Sequence, residues 1–127
     1  MINNVIKMYS KFNISNNKLD WLGEKEKKFR ISAMAEELQE YADASNKHDE
    51  LDALIDLIIF ALGTIERQGM SDIFEEAFNR VIDANMAKKL GPNTKRGEFS
   101  IDLVKPEGWV PPCFKDLMKQ LHIEEKK

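Results

Sequence analysis

The chain has 127 residues, 43% hydrophobic and 32% charged, enough for one domain with its own core and too apolar for a disordered chain. A net charge of -3, with Lys and Arg scattered among Asp and Glu, leaves no broad cationic face and argues against nucleic acid as a partner. The longest apolar run, residues 54–62, is broken by Asp56 and falls far short of the ~20 residues of a membrane span.

Met1-Ile2-Asn3-Asn4 lacks the basic start and small-residue cleavage site of a secretory signal, so a cytoplasmic protein is expected. Cys113 is the single cysteine, which excludes an intrachain disulfide and a cysteine-based zinc site; it reads as a buried or half-buried spectator thiol. His48 and His122 are too far apart to form a local ligand pair and are expected at the surface.

In chain order, Val5, Ile6, Tyr9 and Phe12 predict a first helix over 2–12, ended by the turn-prone run 13–17. A second helix is expected over 19–44, with Gly23 as a break near its start and Ile31, Met34, Ala35, Leu38, Tyr41 and Ala42 as its apolar stripe. Ser45-Asn46-Lys47 supplies cap chemistry for a third helix, which Gly69 closes. Asp72 and Glu75 resemble a capping box for a fourth, carried by Phe74, Ala77, Phe78, Val81 and Ile82 towards Leu90 and ended by Gly91-Pro92-Asn93. Gly97, Pro106, Gly108, Pro111 and Pro112 mark an irregular tail, followed by a short last helix with Phe114, Leu117, Met118 and Leu121 on its apolar face. No β-hairpin signal stands out. The expected fold is one all-α domain, 1–127: an antiparallel bundle of about four main helices with an irregular C-terminal tail and a short last helix.

The third helix is apolar on nearly every side and should lie in the middle of the bundle. Yet Asp49, Asp52 and Asp56 share one strip of it, and Gly63 on the same strip leaves room beside them. Burying a carboxylate costs several kcal/mol, on the order of the figure for a single ion, unless a counter-charge meets it. The second helix offers Glu36, Glu37 and Glu40, an EExxE run that taken alone is an ordinary solvated face. Two antiparallel helices joined by a short turn would bring Glu37, Glu40, Asp52 and Asp56 to face each other. Such oxygen ligands, without imidazole or thiolate, favour Mg²⁺, with Mn²⁺ as a substitute.

Asn85 and Lys88 turn the inner face of the fourth helix polar near its end, either to serve a polyphosphate or because the helix emerges into solvent. Arg30, on the side of Glu37, reaches phosphate or pairs with a glutamate. Trp21, Phe12, Phe29 and Trp109 suit a core better than a base-stacking platform.

The order EExxE, an Asp-bearing apolar helix, then Ala84-Asn85-Met86-Ala87-Lys88 resembles the all-α nucleoside triphosphate pyrophosphohydrolases, the MazG-like and phosphoribosyl-ATP pyrophosphohydrolase-like group. Asp52-Ala53-Leu54-Ile55-Asp56, Ala61-Leu62-Gly63-Thr64 and the late Lys105-Pro106-Glu107-Gly108-Trp109-Val110-Pro111-Pro112 are similar to its small stand-alone members, often encoded by phages. The resemblance implies Mg²⁺-dependent hydrolysis of a nucleoside triphosphate to the monophosphate and pyrophosphate. It makes Glu37, Glu40, Asp52 and Asp56 metal ligands, Asn85 and Lys88 substrate contacts, and Glu36 or Glu40 the proton acceptor. The group's second element is ExxD, but Ala53 stands three before Asp56, so the ligand role passes to Asp52 or to Asp49. A homodimer or homotetramer is also implied. The alternatives are phosphoribosyl-ATP or dUTP as sole substrate, or a helical binding module without turnover.

Overall fold

In the computed structural model, which describes residues 1–16, 22–92 and 101–121, the helices follow the order expected: α1 (Ile2–Lys11), α2 (Glu24–Asp43), α3 (Lys47–Arg67) and α4 (Phe74–Met86). A 3₁₀ turn (Ser71–Ile73) precedes α4, a two-stranded ribbon follows it, and a short α5 (Lys115–Leu121) comes last. The fold is all-α apart from that ribbon. The chain forms two compact units, Met1–Asp72 joined by Leu121, and Ile73–Gln120. No helix among the described residues is long and apolar enough to cross a membrane.

In the first unit both ends of α3 are set by local chemistry. Asn46 is its N-cap, with the side-chain oxygen accepting from the Asp49 N–H at 2.8 Å. At the other end Gly69 adopts φ +73°, and the Gly69 and Met70 N–H groups bond back to the Glu66 and Ile65 carbonyls, a Schellman closure that glycine permits without strain. Helix α2 starts after Gly23 and ends at Asp43, with no basic residue in its last turn. Residues 44–46 then reverse the chain, so α2 and α3 run antiparallel: Glu26 meets Arg67, Phe29 meets Phe60 and Arg30 meets Thr64.

Helix α1 lies along α3, and the Tyr9 phenol occupies the notch left by Gly63, where a β-carbon would overlap the hydroxyl. The room that Gly63 leaves is therefore filled from within the chain. Ile2, Val5, Tyr9, Ala33, Ala53 and Leu62 form the buried apolar set of this unit.

Helix α2 faces differently from expectation. Ile31 and Leu38 are 55% and 54% exposed, Tyr41 is also exposed, and the inward positions are Arg30, Ala33 and Glu37, the anticipated stripe shifted by one residue. Helix α3 is likewise not enclosed, since Leu51, Leu54, Ile55 and Ile58 are exposed. The side that α2 and α3 turn to each other includes Glu26, Arg30 and Arg67 beside Phe29 and Phe60.

In the second unit the Asp72–Glu75 capping box does not form: Ile73 is the N-cap of α4 and no side chain caps it. Helix α4 stops at Met86, short of Leu90, because the chain enters an antiparallel ribbon of β1 (Lys89–Pro92) and β2 (Ile101–Val104), with Lys89 opposite Val104. Arg80 ties α4 to α5, donating to Glu76 at 2.8 Å, to both Asp116 oxygens at 2.7 and 2.8 Å, and to the Cys113 carbonyl at 2.9 Å. That guanidinium holds the Asp116 carboxyl down at about 2. Cys113 itself is exposed rather than buried.

Candidate active site

The antiparallel α2–α3 pair brings acids of both helices near enough to Glu37 for their charges to act on it. Glu37 is half-buried, Asp56 is half-buried, and Glu36, Glu40 and Asp52 are exposed. Burial first, then the negative charges of Glu40, Asp56, Glu36 and Asp52, push the Glu37 carboxyl above its ordinary value. Its Oε1 is buried and accepts no hydrogen bond among the described residues. A buried carboxylate oxygen without a donor, within the field of four further acids, is costly as it stands. Among the described residues no three Asp, Glu, His or Cys side chains are gathered into a set that holds a metal as they stand. The donor chemistry nonetheless fits a hard divalent cation, since every available ligand is a carboxylate oxygen and the orphaned Oε1 lacks a positive partner.

Asp49 stands apart from this group. It accepts from the Asn46 amide at 3.0 Å and lies 3.1 Å from the His48 ring, and those two bonds hold its carboxyl below the ordinary range. It belongs to the capping of α3, and it does not figure among the charges that perturb Glu37. His48 is exposed as expected; His122 and Trp21 lie outside the described residues.

Arg30, the expected phosphate contact, is 6% exposed and committed within the unit. It donates to the Tyr9 hydroxyl at 3.0 Å and to Glu26 at 3.2 Å, with Thr64 Oγ1 at 3.4 Å. Glu26 in turn accepts two bonds from Arg67, at 2.8 and 3.0 Å, and these, ahead of Arg30, draw its carboxyl below the ordinary value. Of the two readings the sequence left open for Arg30, the structure displays pairing with a glutamate.

Asn85 and Lys88 belong to the second unit, both half-buried, with the Lys88 N–H bonded to the Asn85 carbonyl at 3.0 Å as the helix unwinds. Pro106 to Trp109 form a turn closed by the Trp109 N–H on the Pro106 carbonyl at 3.0 Å, with Gly108 at φ +80°. The turn brings the Trp109 indole N–H to the Ala84 carbonyl at 2.8 Å, capping the end of α4. The Lys88 and Lys105 ammoniums lie 4.8 and 5.2 Å from the centre of that ring. Sequence reading gave no site role to Lys105, Tyr9 or Glu26, and no local signal pointed to one, since the ribbon that brings Lys105 to Trp109 leaves no mark in the sequence.

No curated protein matches the chain. Residues 15–85 match the family model for phosphoribosyl-ATP pyrophosphohydrolase, a segment that takes in α2, α3 and α4 up to Asn85 and covers more than half of the chain. The carboxylates of α2 and α3 all fall within that segment, and the chain belongs to this family of nucleotide pyrophosphohydrolases, in its all-α, MazG-like superfamily.

Proposed function

We propose that the chain hydrolyses a ribo- or deoxynucleoside triphosphate between the α and β phosphates, releasing the monophosphate and pyrophosphate, with Mg²⁺ held by Glu37, Glu40, Asp52 and Asp56. The buried, donorless Oε1 of Glu37 among four acids is the observation that carries this reading. Asp52 is preferred over Asp49, whose oxygens are engaged by the Asn46 amide and the His48 ring.

Bound there, the ion supplies neutralisation of phosphate charge and acidification of water, for which Mn²⁺ would serve as a substitute. The chain's residues do the rest. Glu36 and Glu40 are exposed carboxylates on the same helix, and one of them accepts the proton of the water that attacks the α phosphorus. Asn85 and Lys88 keep the substrate-binding role, an amide and an ammonium suited to phosphate oxygens. Arg30 acts by fixing α1 and α2 to α3. The enzyme works as a homo-oligomer, a dimer or tetramer, on cytoplasmic nucleotides.

The family description makes phosphoribosyl-ATP the second reading. Purified protein is incubated with Mg²⁺ and each nucleoside triphosphate, dUTP and phosphoribosyl-ATP among the substrates, and pyrophosphate is assayed separately from phosphate. Pyrophosphate from one or more triphosphates, abolished in Asp56→Asn with the helical spectrum intact, is the expected outcome. Release from phosphoribosyl-ATP alone hands the site to the second reading; near-normal turnover by Asp56→Asn removes that residue from it.

A further inference from the structure

We infer that Lys105 is a second phosphate-binding cation paired with Lys88, and that Trp109 is the positioning residue that holds both. The register of the ribbon ends with Lys89 opposite Val104, and Lys88 and Lys105 are the residues that flank this last pair. Two like charges gathered on one side chain repel each other. Both ammoniums nonetheless lie close to the same ring, at 4.8 and 5.2 Å, and neither figures in an ion pair among the described residues. An anion with two or more charged oxygens set between them relieves this repulsion, and phosphoryl groups have that form.

Trp109 is placed for this by three independent features. The Gly108 conformation turns the chain back, the indole N–H is fixed on the Ala84 carbonyl at 2.8 Å, and the ring is left in reach of the two cations. This cluster lies wholly in the second unit and beyond residue 85, where the family match ends. Its ligand class is a di- or triphosphate, either free pyrophosphate or the polyphosphate of a nucleotide; the assignment to substrate rests on the pyrophosphohydrolase reading above.

In a Trp21→Phe background Trp109 is the sole tryptophan. Inorganic pyrophosphate, titrated without divalent ion, should change its fluorescence saturably. Lys105→Ala should weaken that binding about tenfold, the loss of one charge-assisted contact, and Lys105→Arg should restore most of it. Trp109→Phe, which keeps a ring but loses the bond to Ala84, should raise KM for the triphosphate more than it lowers kcat. A titration without saturation, or Lys105→Ala binding pyrophosphate like the parent, overturns the inference. Turnover assayed on the same samples separates the two claims: hydrolysis without this binding removes the site alone, and binding without hydrolysis removes the proposed reaction and leaves the site. Fluorescence shifted by nucleoside as well as by pyrophosphate, and insensitive to Lys105→Ala, would mean base stacking on Trp109 and also counts against it.

Discussion

Glu37 concentrates the chemistry of the first unit in one side chain. Because its carboxyl is pushed above the ordinary range, its neutral form is favoured in the folded chain. The resulting stabilisation of the cation-free protein is complete below the ordinary glutamate pKa and is lost as pH rises through the raised value. Metal-free protein should therefore melt higher when mildly acidified than at neutral pH. At neutral pH Glu37→Gln should melt at or above the parent, lose the rise in Tm that Mg²⁺ gives the parent, and lose turnover. A Mg²⁺ response unchanged by the substitution would clear Glu37 of any part in holding the ion. Gly63 is the second decisive residue, because a methyl group there overlaps the Tyr9 phenol. Gly63→Ala should destabilise by about 1–3 kcal/mol, the ordinary range for overpacking. Thermal melts of a cycle with Tyr9→Ala should show strong coupling, and additive effects would mean that the notch is not shared.

At the scale of elements, the α2–α3 pair depends on where α3 begins. Asn46→Ala should cost about 1 kcal/mol by removing the N-cap, with Asn46→Asp close to the parent in chemical denaturation. Equal loss in both variants would place the effect elsewhere. The helices were legible because their cues are local: the Asn46 cap, the Gly69 closure and the periodic apolar residues all act within a few positions. That the charges of α3 act on Glu37 was legible because two helices joined by a short turn must fold back on each other. The ribbon was not, because Lys89-Leu90-Gly91-Pro92 has neither β-propensity nor alternation and pairs only through a partner that does not adjoin it in sequence. The facing of α2 was misread for a related reason. Its apolar stripe is real, but Arg30 is held inward by the Tyr9 and Thr64 hydroxyls, and the helix is rotated by one residue so that Glu37 turns inward with it against the repulsion of the neighbouring acids.

For the whole molecule, that rotation leaves a chain whose apolar residues are only partly covered. Among the described residues no large side chain is fully buried, while Ile31, Leu38, Tyr41 and Leu51 stand exposed. Surfaces of this kind mark association. Sedimentation equilibrium should give a dimer or tetramer mass, and Leu38→Lys should shift it towards the single chain; a single-chain mass for the parent at working concentration would overturn this. Single-sequence reading anticipated association from family likeness but had no means of saying which faces stay uncovered. The last turn of α2 carries a further consequence. It holds Glu40 and Asp43 at the negative end of a helix dipole, with no basic residue to offset them. A divalent ion seated beside Glu37 and Glu40 would act there as an electrostatic C-cap. The supply of magnesium would then set how firmly the turn at 44–46 is clamped, and chelation would loosen the scaffold at the place where the chemistry is lost.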